Sequence, residues 1–332
     1  MKKTLIALAA VAATGAAFAQ SSVTIYGKVN VSLEKSSLDK KNDVTALGDI
    51  HGSRLGFRGV EDLGGGLQAK FHIEHRFRPD TGADATFNPG GTNPTTGVVT
   101  PASSTMWNGL STVGLAGSFG EVRLGRYYSA NFTGAANVPD PFGGDGAGAL
   151  RGIGMYANRL AAFPVIRTDN IIHYSGNFSG VKVGVSTSVK ENSAKAHTSL
   201  AIGYANGPLD VGVGTDRASI GNLVNAYVTY DLGVAKLAFG MGNTKATGGL
   251  KSEGLLIGAT IPAGPGKVQV GFARAKNKTS GVVTNSKLGL GYVYPLSKRT
   301  ALEATYGRDS KAVSAVTGKK ESGFDMTLQH NF

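Results

Sequence analysis

Cysteine is absent from all 332 residues, so neither a disulfide framework nor thiolate chemistry is open to this chain. No stretch beyond residue 19 holds 18 consecutive apolar residues, which excludes helical membrane spans. Catalytic signatures are missing too. There is no Gly-x-Ser-x-Gly elbow, phosphate loop, His-Glu-x-x-His or dinucleotide fingerprint, and Gly-x-Gly pairs such as Gly146-Ala147-Gly148 lack a third glycine. The six histidines are dispersed, and His72 and His75 fall on opposite faces of one predicted strand, so no metal, no cofactor and no enzyme is expected. Acid is also scarce: 22 Asp and Glu stand against 34 Lys and Arg, a formal net charge of +12. Such a balance would suit nucleic acid, but the basic residues alternate with apolar ones, and a solvated cavity accounts for them better.

What is present points to export. Met1-Lys2-Lys3 is a basic head, Leu5 to Val11 an apolar core, and Ala17-Phe18-Ala19 a small-x-small cleavage site before Gln20. Residues 1–19 are therefore expected to be a cleaved signal peptide. Their removal takes Lys2 and Lys3 and lowers the net charge from +12 to +10. No composition shift or Pro/Ser linker divides the remainder, so residues 20–332 are read as one domain.

The 49 glycines and the β-branched runs favour strands. At the C-terminus Phe324, Met326, Leu328, His330 and Phe332 alternate with Asp325, Thr327, Gln329 and Asn331. Side chains of a strand alternate between its two faces, so one face here needs an apolar medium and the other accepts water. A barrel strand in a bilayer has both needs, and a terminal Phe is the usual mark of the closing one. Short connections are predicted at Gly64–Gly66, Phe119-Gly120, Asn177–Gly180, Asn206–Pro208, Asp231–Gly233, Pro262–Gly266 and Pro295–Lys298. Eight longer polar segments alternate with these seven turns. The resulting expectation is an all-β fold, a sixteen-stranded antiparallel transmembrane β-barrel around an aqueous channel. Tyr174, Tyr204, Tyr230 and Tyr294 each precede a short turn on the apolar parity and should form a turn-side girdle with Phe332.

Parity also assigns the lining. With Val23, Ile25, Val29 and Val31 facing lipid, Tyr26, Lys28 and Asn30 face water. Leu55 and Phe57 outward leave Arg54 and Arg58 inward; Phe71, Ile73 and Phe77 outward leave Lys70, His72, Glu74, Arg76 and Arg78 inward. A lipid-facing Lys or Arg near the bilayer midplane costs about 2–4 kcal/mol, so the lumen is the expected address of these charges.

The segments Ser53-Arg54-Leu55-Gly56-Phe57-Arg58-Gly59-Val60-Glu61-Asp62-Leu63-Gly64-Gly65-Gly66-Leu67, Phe119-Gly120-Glu121-Val122-Arg123-Leu124-Gly125-Arg126 and Asn170-Ile171-Ile172-His173-Tyr174-Ser175-Gly176-Asn177-Phe178 occur in this order. Together with the closing Phe, they resemble the general trimeric porins of Gram-negative bacteria, of the neisserial and β-proteobacterial type. The resemblance implies a homotrimer in the outer membrane, a third loop folded into the barrel, and handling by the barrel-assembly machinery through the C-terminal strand. It implies a constriction with a basic wall, here Lys28, Arg54, Arg126 and Arg167, facing loop carboxylates, here Asp145 and its neighbour Asp140. Arg126 shares parity with Val122 and Leu124 and reaches the lumen only if Gly125 permits a bulge; otherwise it lies at a subunit contact. Asp140 could instead serve as a turn-forming Asp. Family members often carry Asn-Arg-Gln where this chain has Asn108-Gly109-Leu110, which removes one lumen arginine.

The expected function is a passive outer-membrane channel for small hydrophilic solutes, modestly anion-selective because the lining is more basic than acidic. The alternatives are a substrate-specific channel and a plugged, non-conducting adhesin or structural barrel. Outer-membrane lipid and lipopolysaccharide are the expected surroundings, with Lys40 and Lys41 as loop cations near its phosphates.

Overall fold

The computed structural model describes residues 22–36, 46–85, 91–92, 99–100, 105–157, 166–190, 196–313 and 320–332. Residues 1–19, expected to be a signal peptide, and Lys40 and Lys41 lie outside the described residues. Sixteen long strands form the wall: β1 (Ser22–Ser36), β2 (Arg54–Gly64), β3 (Leu67–Arg76), β4 (Leu110–Gly117), β5 (Gly120–Tyr128), β6 (Arg167–Phe178), β7 (Val181–Ser188), β8 (Thr198–Asn206), β9 (Leu209–Ala218), β10 (Gly221–Asp231), β11 (Lys236–Ala246), β12 (Lys251–Ala263), β13 (Gly266–Asn277), β14 (Val283–Pro295), β15 (Thr300–Val313) and β16 (Lys320–Asn331). A short segment, Ala46–Gly48, extends the pairing against β1 above β2. A two-stranded ribbon, Gly91–Thr92 with Val99–Thr100, belongs to the loop after β3.

Each wall strand pairs antiparallel with its sequence neighbour, and β16 pairs with β1 from Lys28↔Asn331 to Ser36↔Gly323, so the sheet closes on itself. The seam ends on a reciprocal pair: the Gly27 amide donates to the Phe332 carbonyl at 3.0 Å and the Phe332 amide to the Gly27 carbonyl at 3.1 Å. Closure leaves no unpaired edge, which suits a wall surrounded by hydrocarbon, where an open backbone group costs several kcal/mol. The seven predicted turns all join wall strands.

Alternation follows the expected parity. Val23, Ile25, Phe71, Val113, Val213, Phe239, Ile257, Phe272, Leu288 and Leu328 stand exposed outside, with Tyr204, Tyr230, Tyr294 and Phe332 exposed at the turn end. A water-soluble fold would not present apolar surface on this scale. The buried apolar cluster lies inside the cylinder, where Phe142, Leu150, Met155 and Tyr156 of the third loop pack on Leu223, Tyr227, Leu256 and Ala273 of the wall.

That loop, between β5 and β6, turns inward through a π-helical turn, Phe132–Ala136, and a short helical turn, Arg151–Gly154. Wall side chains hold its backbone at five points between Ala130 and Ala149. Ser186 Oγ accepts from the Ala130 amide at 3.1 Å, Ser199 Oγ from the Asn131 amide at 2.8 Å, and Thr305 Oγ1 from the Gly148 amide at 3.0 Å. Gln269 donates to the Pro141 carbonyl at 2.6 Å and Lys287 to the Ala149 carbonyl at 2.8 Å. Space for the loop comes from glycines on the inner face: a Cβ at Gly242, Gly254, Gly289 or Gly307 would overlap the carbonyl of Met155, Gly154, Gly148 or Ala147, respectively. The wall thus makes room for the loop with small residues of its own.

Candidate channel constriction

Four of the expected cations converge on one wall. Lys28 comes from β1, Arg54 from β2, Arg76 from β3 and Arg167 from the start of β6, all on inner positions of their strands. Lys28 is buried and donates through Nζ to the His51 carbonyl at 2.8 Å, with Arg54, Arg76 and Asp145 all within electrostatic reach. Glu74, 3% exposed, sits among them: its carboxylate accepts from Arg76 Nε at 2.8 Å and from the Tyr26 hydroxyl at 2.9 Å. Tyr128 receives Arg76 Nη2 at 3.2 Å and Arg167 Nη2 at 2.7 Å, and the Arg167 guanidinium lies 4.4 Å from its ring centroid. One buried carboxylate and two phenols thus hold apart like charges that would otherwise repel at close range. Gly109 fits this packing, since a Cβ there would meet the Glu74 carboxylate at 2.6 Å and its carbonyl at 2.8 Å.

Arg58 and Lys70 belong to a second group nearer the turn end. Arg58 lies 5.4 Å from the Tyr26 ring, and Tyr26 reaches His72 Nε2 at 2.5 Å. Lys70 is 3.7 Å from Glu121, whose carboxylate is gripped by Arg123 at 2.7 and 2.8 Å; Arg123 in turn lies 4.5 Å from the Tyr127 ring. Arg58, Lys70, His72, Glu121, Arg123 and Tyr127 line a cavity of about 370 Å³ together with Thr112 and Gly114.

Two expected positions are corrected. Asp140 is 5% exposed and faces the loop interior, where its carboxylate accepts the amides of Phe142 at 3.1 Å, Leu150 at 2.9 Å and Arg151 at 2.7 Å. Burial raises its pKa, opposed by those three N–H groups. It organises the loop rather than lining the slot. Arg126 stands outside the basic group, donating to the Asn108 carbonyl at 3.0 Å and to exposed Asp169 at 2.5 Å. The register does shift after Gly125, but Arg126 stands opposite two residues of β6, Asp169 and Asn170, the latter at φ +53°, and it is Tyr128 that meets Arg76 and Arg167. Asp145 is half-buried and lies within electrostatic reach of Lys28, Arg76 and His51.

Sequence reasoning missed His51 and the role of Asp325. His51 is 4% exposed in the return of the first loop, with Nε2 3.2 Å from Asp325 and Nδ1 3.9 Å from Glu303. Burial acts against its charge, but the Asp325 hydrogen bond and the Glu303 and Asp145 carboxylates outweigh it and raise its pKa. No periodicity marks a lone loop histidine. Asp325 was visible only as one polar residue of the last strand.

A closed cylinder with an apolar exterior, a charged interior and a loop laid across its lumen is an outer-membrane diffusion channel. The chain belongs to the Gram-negative porin family, whose model matches residues 4–312. It is 33% identical to outer membrane porin protein 32 of Delftia acidovorans and 28% identical to the major outer membrane protein P.IB of Neisseria meningitidis, both along the full length of both chains. Its fold matches an anion-selective porin from Comamonas acidovorans with a TM-score of 0.74 at 27% identity, covering 94% of this chain and 100% of that one. OmpT of Vibrio cholerae in its trimer form shares the fold alone, at a TM-score of 0.66 and 14% identity. The protein is a general porin of the Gram-negative outer membrane, a passive channel and not an enzyme.

Proposed function

We propose that the channel is modestly anion-selective for small hydrophilic solutes, with Lys28, Arg54, Arg58, Lys70, Arg76 and Arg167 attracting anions and Asp145 forming the opposite pole. The observation that carries this reading is the convergence of Lys28, Arg54, Arg76 and Arg167 on one wall, with Glu74 the carboxylate at its centre. Charges lining a low-dielectric slot focus the field on the solute path. The anion-selective porin with which the fold aligns supports the same sign.

Further parts of the reading rest on kinship. The chain works as a homotrimer, consistent with the trimer form among its structural relatives. Residues 1–19 are removed on export, Phe332 presents the last strand to the assembly machinery, and lipid and lipopolysaccharide surround the barrel. Reversal potentials across a planar bilayer test selectivity. Wild type should prefer anions at 0.1 M salt and lose much of that preference at 1 M, where the screening length falls from about 10 to about 3 Å. Arg54→Ser with Arg58→Ser should reduce the preference at least about two-fold by removing two lumen charges. A cation preference in the wild type rejects the reading.

A further inference from the structure

We propose that the loop-side vestibule of the channel holds a binding site for a linear organic diamine, and that the bound dication shifts the charge balance of the pore. The proposal rests on the anion-selective reading above and deepens it, because the site takes in the acidic pole, Asp145. A cavity of about 490 Å³ lies between the third loop and the inner face of β14, β15, β16 and β1. Three carboxylates border it: Glu34 near the loop end of β1, Asp145 in the third loop and Glu321 at the start of β16. Glu34 shares the inward parity of Lys28, Asn30 and Ser32 and is paired directly with Asp325 across the seam. Like charges directly opposite on one sheet face are destabilising. Asp325 is answered by His51, Thr305 and the Ala147 amide, whereas Glu34, Asp145 and Glu321 form no ion pair among the described residues.

Two buried atoms on the same border have no hydrogen-bond partner, Glu34 Oε1 and Asn285 Oδ1, and both are acceptors. Asn285 is 7% exposed and its NH₂ group is engaged with Asp309 at 2.8 Å, which leaves the side-chain carbonyl for a donor from outside the chain. Unanswered buried acceptors beside unpaired carboxylates call for a group that is both cationic and rich in N–H. The cations at hand do not supply it. Lys287 stands opposite Asp309 and donates to the Ala149 carbonyl at 2.8 Å, and Lys35 falls on the outward parity of Leu33. Asp309 is itself satisfied by Asn285 and by the amides of Ser286, Lys311 and Ala312.

Spacing decides the form of that cation. Among the described residues, no three acidic or histidine side chains converge closely enough to hold a metal ion. Glu34 and Asn285 stand on β1 and β14, three strand spacings or about 14 Å apart around the wall. Ile50 and Ile153 add apolar lining to the same cavity. A dication whose charges are separated by methylenes fits both features: its ammonium ends donate to separate acceptors while its alkyl chain lies on the isoleucines. A hydrated divalent metal ion matches neither. Bound beside Asp145, the diamine cancels acidic charge close to Lys28 and Arg76, so occupancy raises the anion preference instead of closing the pore.

Reversal potentials of the purified full-length channel in a planar bilayer, with pentane-1,5-diamine titrated into the loop-side chamber, test the site. At low salt, where charges about 10 Å apart still interact, millimolar diamine should raise the anion-to-cation permeability ratio at least about two-fold. Pentan-1-amine and magnesium chloride at the same concentration should each give less than about a quarter of that change. Glu34→Gln, which removes one unpaired carboxylate, should raise the half-effect concentration of the diamine at least about five-fold. A ratio that the diamine leaves unchanged overturns the proposal, as does an equal response of wild type and E34Q. Magnesium as effective as the diamine shows general screening of an acidic vestibule and overturns it too. If E34Q does not fold, the wild-type comparison of diamine with monoamine and magnesium decides. A wild type that prefers cations in amine-free salt rejects the anion-selective reading alone, and the diamine site is then judged by whether the shift depends on Glu34.

Discussion

The Ala147 amide donates to the Asp325 carboxylate at 2.6 Å, tying the tip of the inward loop to the last strand of the barrel. Asp325 is fully buried and also accepts from Thr305 Oγ1 at 2.5 Å, while its second oxygen lies 3.2 Å from His51. The isosteric substitution Asp325→Asn keeps one acceptor and places an NH₂ where another donor already points. An unsatisfied buried donor costs about 1–3 kcal/mol, enough to populate a second loop position. Single-channel recordings of the variant should show current sublevels, and its thermal midpoint in detergent should fall. A single sharp conductance level at wild-type stability would remove the latch from the account.

Gly254 meets the loop so closely that a Cβ would overlap the carbonyls of Gly154 and Ile153. Both contacts are backbone, so no side chain can swing aside. Gly254→Val should therefore push the Arg151–Gly154 turn toward the lumen and cost about 1–3 kcal/mol as overpacking does. The measurable result is a smaller conductance step from a barrel whose strand content, by circular dichroism, is unchanged. Gly248→Val, at a position with no neighbour within 4 Å, serves as the control and should leave the step at its wild-type size.

The strand pattern was legible because period-2 alternation between hydrocarbon and water persists in every wall segment, and glycine, proline or asparagine marks each short turn. The same alternation placed Lys28, Arg54 and Arg76 inward. It also gave Arg126 the outward parity of Val122 and Leu124, and only the family resemblance drew that residue into the wall; the register shift that follows Gly125 puts it opposite Asp169 and Asn170 and does not bring it inward. Asp140 looked like a pore acid because chain position does not disclose orientation; three nearby amides decide it. One signal went unread. Gly242, Gly254, Gly289 and Gly307 all fall on the lumen parity of β11, β12, β14 and β15, and together they trace where the loop rests.

The seam supplies a two-part test of closure. Phe332 contributes backbone through its reciprocal hydrogen bonds with Gly27 and a ring that lies over the same glycine. Phe332→Ala keeps the first and loses the second; deleting the residue loses both, and the two bonds are worth about 1 kcal/mol each. Refolding yield into detergent, read as the heat-sensitive shift of folded barrel on a gel, should fall with the substitution and fall further with the deletion. Equal yields for all three chains would mean that the terminal pair does not help to close the cylinder.

His51 gives the pore a pH dependence with a definite sign. Its pKa lies above the ordinary 6.5, because the Asp325 hydrogen bond and the Glu303 carboxylate prevail over burial. A histidine with a raised folded-state pKa contributes its full stabilisation below the unfolded value and loses it as pH climbs through the folded value. The backbone carbonyl of His51 accepts from Lys28 Nζ at 2.8 Å while its imidazole faces Asp325, Glu303 and Asp145, so protonation offsets carboxylate charge next to the basic wall. Anion preference measured by reversal potential should therefore be greatest at pH below about 6.5 and decline as pH rises past that value. His51→Gln keeps the backbone carbonyl for Lys28 and removes the titration, so its selectivity should be flat across this interval. A wild-type profile as flat as that of the variant, or one rising with pH, would place the sensitive charge elsewhere.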